Sequence, residues 1–550
     1  MQLKTPVLSR RAVLFCLLTL ILFSIALRYP NTPHQLGSDG YFNNAMAKFI
    51  IEDGHANWIL TPFSYMGLGP FAYPAAMHFF IATTSQLANI PIEEAVLYFN
   101  IMLGICGVLF CFMMVKEFTK NNEISLLSAL IFSTAPDFLR LTNWNGSSRS
   151  MVMVYFLLLV FVLFKTQYAR RSESHSMYYE TVFSLIAVLL IYMIGTMHRM
   201  WIFSIFIIIG YLIARPLHGV KKMVMRQWGI WNKRKHDWTM NLLFILWIGM
   251  IGLFIYAQLE NIGVYSGMNL WYKYQWGLLF SGTSFETLFL NMAIDYWSGW
   301  GLISAFIIIG AFVIFRKKNK NFASIFLISI IILTAPIATL GLYSKLILII
   351  FATPLIAMGI IWFVSQKRLR RISVTMLFVI LMISGGFNIL MVEHWQNAEG
   401  GDYMKNSEYD QAMFVKYNMN QNDTYISNNQ VFGNQVLSVA DTQFMTEGFL
   451  YPLIYGWVTR ADIENVLDWQ EMIDEQSIEI KYPEEYALTL DHRQIHMNPV
   501  DNTMFLRSIY NVNYAVDSSV STTNYWIEPS LYETRYMIFI NQDGRIWYLG

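Results

Sequence analysis

Eleven apolar runs close to membrane-spanning length limit what this chain can become more than any other feature. They lie at about 12–28, 95–115, 124–139, 150–164, 181–197, 200–214, 239–257, 299–315, 322–341, 345–364 and 372–391. A hydrocarbon layer about 30 Å thick takes roughly 20 helical residues to cross. Within it each backbone polar group must find its partner inside the segment, which a helix provides. With 55% hydrophobic and 14% charged residues, the chain reads as an α-helical polytopic membrane protein and not as a soluble domain.

Charge sets the expected orientation. Lys4, Arg10 and Arg11 precede the first run, and Arg28-Tyr29-Pro30 follows it with no small-x-small cleavage site, which describes an uncleaved anchor. With the amino terminus inside, 23 Lys and Arg fall in inner loops and 7 in outer ones. The positive-inside rule therefore predicts a multi-pass plasma-membrane protein with a cytoplasmic amino terminus. An odd number of spans puts residues 392–550 outside, where 8 Lys and Arg face 23 Asp and Glu. Such a tail excludes nucleic acid as a partner and docking on anionic lipid. The cluster from Arg215 to Lys235, edged by tryptophans, is a topogenic inner loop. Cys16, Cys106 and Cys111 all sit in apolar runs, so no disulfide framework or CxxC metal site is offered.

Two domains follow: a membrane domain over 1–391, whose first outer loop spans 28–91, and an extracytoplasmic α/β domain over 392–550. In the latter, strands are expected at 424–427 and 513–516, and a hairpin at 535–549 around Asn541-Gln542-Asp543-Gly544. Helices are expected at 433–440 and 463–473. His492 and His496 are four apart but lack an HExxH context, which makes them a surface pair.

Candidate chemistry gathers on the outer side. Phe42, Ala45, Met46, Phe49 and Ile50 recur at helical spacing, so 39–51 should be an amphipathic helix lying on the membrane with Asp39 at its head. There Asp39 is either a helix cap or a carboxylate placed for proton transfer. After a turn-rich crossing, Tyr73-Pro74-Ala75-Ala76-Met77-His78 opens a second apolar helix too short to span. The second outer loop carries Asp137 and an Asn145-Gly146-Ser147 sequon, a pattern repeated at Asn422. His198-Arg199 closes the fifth run, and Lys345 is the single charged residue between Asn321 and Ser365. A cation bordering lipid requires either a partner or a function. These three either snorkel to headgroups or bind phosphate.

An aspartate just after the first span, two helices in the first outer loop, the G-x-G-P-F-x-Y-P-x-x-x-H stretch of Gly67 to His78, some eleven spans and a soluble outer domain together resemble the GT-C superfamily. Its members are integral-membrane glycosyltransferases that take sugar from polyprenyl-phosphate carriers. The resemblance implies that Asp39 is the catalytic base, that Tyr73 and His78 belong to the first-loop motif, and that transfer inverts the anomeric carbon. Lys345, Arg199 and His198 are then the candidates around the donor phosphate. Some members place a metal-binding acidic pair in the second loop; Asp137 stands there without a second carboxylate beside it, so a metal or other cofactor is left open. No W-W-D-Y-G-type stretch occurs, which favours single sugars over en bloc oligosaccharide transfer, and no glycine-rich nucleotide loop follows a strand. The expected partners are a polyprenyl-phosphate sugar, membrane lipid and a glycan, protein or lipid acceptor. The competing classes are a transporter or flippase of a lipid-linked saccharide and a catalytically silent relative. A transporter would show repeats or mid-membrane charge; here no repeat is visible and the charges collect at the outer rim.

Overall fold

The computed structural model describes residues 8–30, 32–56, 74–169, 176–225, 303–304, 306–316, 321–334, 342–365, 404–420, 423–427, 430–440, 442–444, 512–518, 536–540 and 544–548. The runs at 239–257 and 372–391, Tyr73, Asn422, the helix expected at 463–473 and His492 with His496 lie outside the described residues.

In chain order, α1 (Arg10–Ala26) leads to the first-loop helices α2 (Ser38–Asp53) and α3 (Ala76–Ala88). Then come α4 (Ile92–Thr119), α5 (Asn122–Ser133), α6 (Pro136–Thr142), α7 (Ser148–Ala169) and α8 (Ser176–Met197). A 3-10 turn (Arg199–Phe203) enters α9 (Ser204–Met225), and α10 (Phe306–Arg316), α11 (Phe322–Thr334) and α12 (Leu342–Val364) follow. Among the described residues, four helices are long and apolar enough to cross a membrane: Ile92–Thr119, Ser148–Tyr168, Met177–Met197 and Leu346–Val364. On α1, Leu14, Phe15, Leu18 and Leu22 are each more than half exposed. A stripe that apolar at helical spacing is stable facing lipid, not water.

One expectation needs correction. The run at 124–139 is not one continuous helix, because α5 and α6 meet at a bend of 58°. Pro136 holds the first position of α6, and Ala135 before it is extended at φ −60°, ψ 127°. Proline disfavours the helical conformation in the residue it follows, so the chain must break there. Elsewhere the packing is tight: a Cβ added to Gly310 would collide with the Leu355 carbonyl, and one on Gly359 with that of Phe306. Glycine at both positions lets α10 and α12 touch backbone to backbone.

Helix α4 separates two ends of the bundle. Glu93 and Glu94 occupy its first turn and Lys116 its last, matching the helix dipole. At its far end Glu117 pairs with both Lys120 and Lys165, and Leu8 N–H donates to the neighbouring Glu123 at 3.2 Å. Loop ends that the charge count assigns to the inside thus meet. About 36 Å away along the helix, at 1.5 Å per residue, Glu93 meets the first and second outer loops.

The carboxyl-terminal region is a small α/β unit: α13 (Asn406–Asn418), β1 (Thr424–Ser427), α14 (Gln430–Val439), β2 (Gln443–Phe444), β3 (Val512–Ser518), β4 (Tyr536–Ile540) and β5 (Gly544–Tyr548). The sheet runs β2-β1-β3-β5-β4, with β2, β1 and β3 parallel and β5 antiparallel to both β3 and β4. Tyr425, Val516, Ile546 and Trp547 are fully buried in it.

Candidate active site

The site begins where the chain leaves α1 and starts α2. Gly37, the residue before α2, has φ +89°, a conformation that side chains resist, and a Cβ there would also strike the Asn145 amide at 2.8 Å. Leu36 forms a parallel β-bridge with Asn145, and its N–H donates to the Trp144 carbonyl at 2.9 Å. One turn on, a Cβ on Gly146 would lie 3.0 Å from the Gly40 Cα. The loop after α1 and the loop after α6 are therefore in backbone contact, and Asp39, the second residue of α2, is on the turn that makes it. The α4 helix ties the junction down, since Asn100 Nδ2 donates to the Asn145 carbonyl at 3.0 Å and Trp144 Nε1 to that of Glu93 at 2.9 Å.

A buried polar layer lies behind this turn. Asn43 Nδ2 donates to the Gly146 carbonyl at 2.5 Å, its Oδ1 is 2.8 Å from His78 Nε2, and Asn44 Nδ2 donates to Gln35 Oε1 at 2.7 Å. Asn43 and His78 have no exposed surface. Burial holds the His78 imidazole far below its ordinary value, at about 3, against the opposing pull of the Ala75 and Pro74 backbone, so the ring is neutral.

The other side of α2 meets the carboxyl-terminal α/β unit. Tyr41 Oη donates to the Gln35 carbonyl at 2.6 Å and accepts the Met404 N–H at 2.9 Å. Burial, reinforced by the charge of Glu93, raises this phenol well above its usual range against the Met404 hydrogen bond, so it remains protonated. Two turns along, Lys48 Nζ donates to the Ala440 carbonyl at 2.5 Å. His34 stacks on Tyr409 with centroids 4.4 Å apart, and Glu93 accepts from Gln35 N–H at 2.5 Å while standing 3.3 Å from His34 Nδ1. The helix expected to rest on the membrane by one apolar face is thus buried on two sides. Its polar positions, Asn43, Asn44 and Lys48, face protein partners.

Compared by sequence, no family model and no curated protein matches the chain. Compared by structure, it is similar to the oligosaccharyltransferase of Archaeoglobus fulgidus, solved with a tethered acceptor peptide: 12% identity, TM-score 0.58, covering 93% of this chain and 69% of that one. It is also similar to ArnT of Cupriavidus metallidurans bound to undecaprenyl phosphate, at 10% identity and TM-score 0.55 over 98% of this chain and 97% of that one. The arabinofuranosyltransferase AftD from Mycobacteria matches at 12% identity and TM-score 0.56, over 99% of this chain and 42% of that one. The chain has the GT-C fold. At these identities the likeness is one of architecture, and the GT-C fold accounts for the layout of outer loops, apolar helices and small terminal sheet.

Within the GT-C fold, the sequence-derived candidates separate into groups. Asp39 lies on the first turn of α2, beside the junction of Gly37 and Gly40 with the Asn145 loop, and His78 meets α2 one turn further on, at Asn43. Asp137 is buried on the first turn of α6, the helix that runs into the Asn145 loop. His198 caps the 3-10 turn, its Nδ1 accepting from Met200 N–H at 3.1 Å. Arg199 opens that turn, which packs against α12, the helix that carries Lys345. Tyr73 lies outside the described residues. Asn145 is half-buried, with its side-chain amide close against Gly37. Among the described residues no three His, Cys, Asp or Glu side chains gather as metal ligands. Sequence reasoning passed over Gln35, Tyr41, Asn43 and Glu93. The available signal was two adjacent asparagines set among the apolar positions Phe42, Ala45, Met46, Phe49 and Ile50.

Proposed function

We propose that this protein transfers a single sugar from a polyprenyl-phosphate carrier to an acceptor hydroxyl on the outer face of the membrane, with Asp39 as general base. The observation that carries the reading is the position of Asp39 in a GT-C fold: on the first turn of a helix whose start is pinned against the second outer loop. The carboxylate takes the acceptor proton as the hydroxyl oxygen attacks the anomeric carbon. A new carbon–oxygen bond forms, the bond to the carrier phosphate breaks with inversion, and the lipid phosphate leaves with its charge. Catalysis of this kind needs a base within hydrogen-bond reach of the hydroxyl and a fixed angle of attack.

The leaving phosphate calls for cations, and we assign Lys345, Arg199 and His198 to it. Arg199 opens the 3-10 turn that packs against α12, the helix on whose first turn Lys345 lies. Neighbouring structures support a lipid phosphate as ligand class: ArnT of Cupriavidus metallidurans is bound to undecaprenyl phosphate, and an AglB oligosaccharyltransferase of Archaeoglobus fulgidus is in complex with a dolichol-phosphate and an inhibitory peptide. The lack of a W-W-D-Y-G-type stretch supports single-sugar donors.

The test is transfer of radiolabelled sugar by purified protein from a panel of polyprenyl-phosphate sugars, beside Asp39→Asn. Carrier-dependent transfer that disappears in the variant, with donor binding retained, is the expected result. Full activity in Asp39→Asn would remove it as base. Folded protein that binds carrier lipid and transfers nothing would turn the reading toward a transporter or a silent relative.

A further inference from the structure

We propose that Asn43 and His78 form a buried positioning relay that fixes the first turn of α2, and with it Asp39, against the second outer loop. This rests on the reading of Asp39 as the base. The two residues come from different helices: Asn43 from α2, four positions and so about one turn after Asp39, and His78 from α3. Together they join α3, α2 and the loop at Gly146 through contacts of 2.8 and 2.5 Å.

The direction of each hydrogen bond is settled by chemistry. A carbonyl can only accept, so the Asn43 nitrogen must face Gly146 and its oxygen must face the ring. That oxygen in turn requires a proton on His78 Nε2. Burial lowers the imidazole pKa, which favours the neutral ring, and the neutral tautomer with its proton on Nε2 is the one that serves this contact. What histidine supplies here is a rigid N–H at a fixed height on α3. Gly146 is also the residue whose backbone touches Gly40, so the relay grips the loop where it abuts the Asp39 turn. A misplacement of about 1 Å at a reacting group costs on the order of 10²-fold in rate, which is the scale of effect such a grip controls. Neither residue touches substrate in this account; both act through Asp39.

Two measurements on the full-length protein decide the matter. In steady-state transfer, His78→Leu and Asn43→Ala should each lower kcat by about 10²-fold with the KM for the polyprenyl-phosphate sugar unchanged. The double variant should be no worse than either single one, and His78→Gln, whose amide also offers an N–H, should recover most of kcat. Independently of activity, cysteines placed at the bridge pair, Leu36→Cys with Asn145→Cys, with Cys16, Cys106 and Cys111 replaced by alanine, should form a disulfide under mild oxidation. That cross-link should slow in His78→Leu and not in His78→Gln. Unchanged cross-linking in His78→Leu, additive losses in the double variant, or a loss confined to KM would each overturn the relay. Retained transfer in Asp39→Asn would overturn the base assignment alone, since the cross-link reports on the loops without using Asp39.

Discussion

At the scale of the residue, two buried groups carry the sharpest expectations. Tyr41 both donates and accepts through one hydroxyl, to the Gln35 carbonyl and from the Met404 N–H. Tyr41→Phe keeps the ring and strands both backbone groups, at a cost of about 1–3 kcal/mol for a buried unsatisfied pair. Thermal unfolding of purified protein in detergent should show the lower midpoint; an unchanged midpoint would mean that the two groups re-pair locally. His78 makes stability depend on acid. Its pKa falls from 6.5 in the unfolded chain to about 3 in the folded one, so above pH ~6.5 neither state is protonated and nothing is lost. As pH falls from there toward 3, the unfolded chain binds a proton that the folded chain refuses, and stability declines by up to about 1.4 kcal/mol per pH unit. Unfolding midpoints measured from pH 7 to pH 4 should therefore fall less steeply for His78→Gln than for the natural sequence, and parallel slopes would refute the assignment.

At the scale of the element, helix–helix contact depends on where side chains are missing. Gly310→Leu would drive a side chain into the Leu355 carbonyl, with even its first carbon in collision. The α10–α12 pair should separate, lowering the unfolding midpoint by several degrees, whereas Leu at the exposed Ile308 position of the same helix should leave it unchanged. The same scale shows how much was legible beforehand. Helical spacing of Phe42, Ala45, Met46, Phe49 and Ile50 located α2 and put Asp39 within a residue of its start, because periodicity is a local property. The break before α6 is equally local: Pro136 lies inside the apolar run at 124–139 and also opens the expected second outer loop, and hydropathy, which averages over neighbours, gives the run while the proline gives the break. The second buried face of α2 was not legible at all. Lys48 binds the Ala440 carbonyl across 392 residues of sequence, and nothing near position 48 distinguishes a lysine with such a partner from one in water. The Asn43–His78 pairing was hidden for the same reason, the two being 35 positions apart.

At the scale of the whole molecule, α2 is one of the pieces by which the helical bundle touches the carboxyl-terminal α/β unit, beside the stack of His34 on Tyr409. Along one helix, Tyr41 and Lys48 hold the outer domain by its backbone at Met404 and Ala440, while Asn43 on the same helix holds the second outer loop. The turn that carries Asp39 is thus clamped from two directions, and loosening one clamp should be felt at the other. Lys48→Met keeps much of the side-chain volume and removes the donor. Backbone hydrogen exchange followed by mass spectrometry should then show faster exchange in peptides covering 430–440, where α14 packs on α2, and a smaller increase over 38–53. Peptides covering α7, which packs on α4 and α8, should be unaffected. If exchange rises at 430–440 alone, the outer domain rests on α2 without stiffening it, and the order of the Asp39 turn comes from the loop junction by itself. A rise over 38–53 would make the outer domain part of what holds that turn in place, and transfer rates in Lys48→Met should fall in proportion.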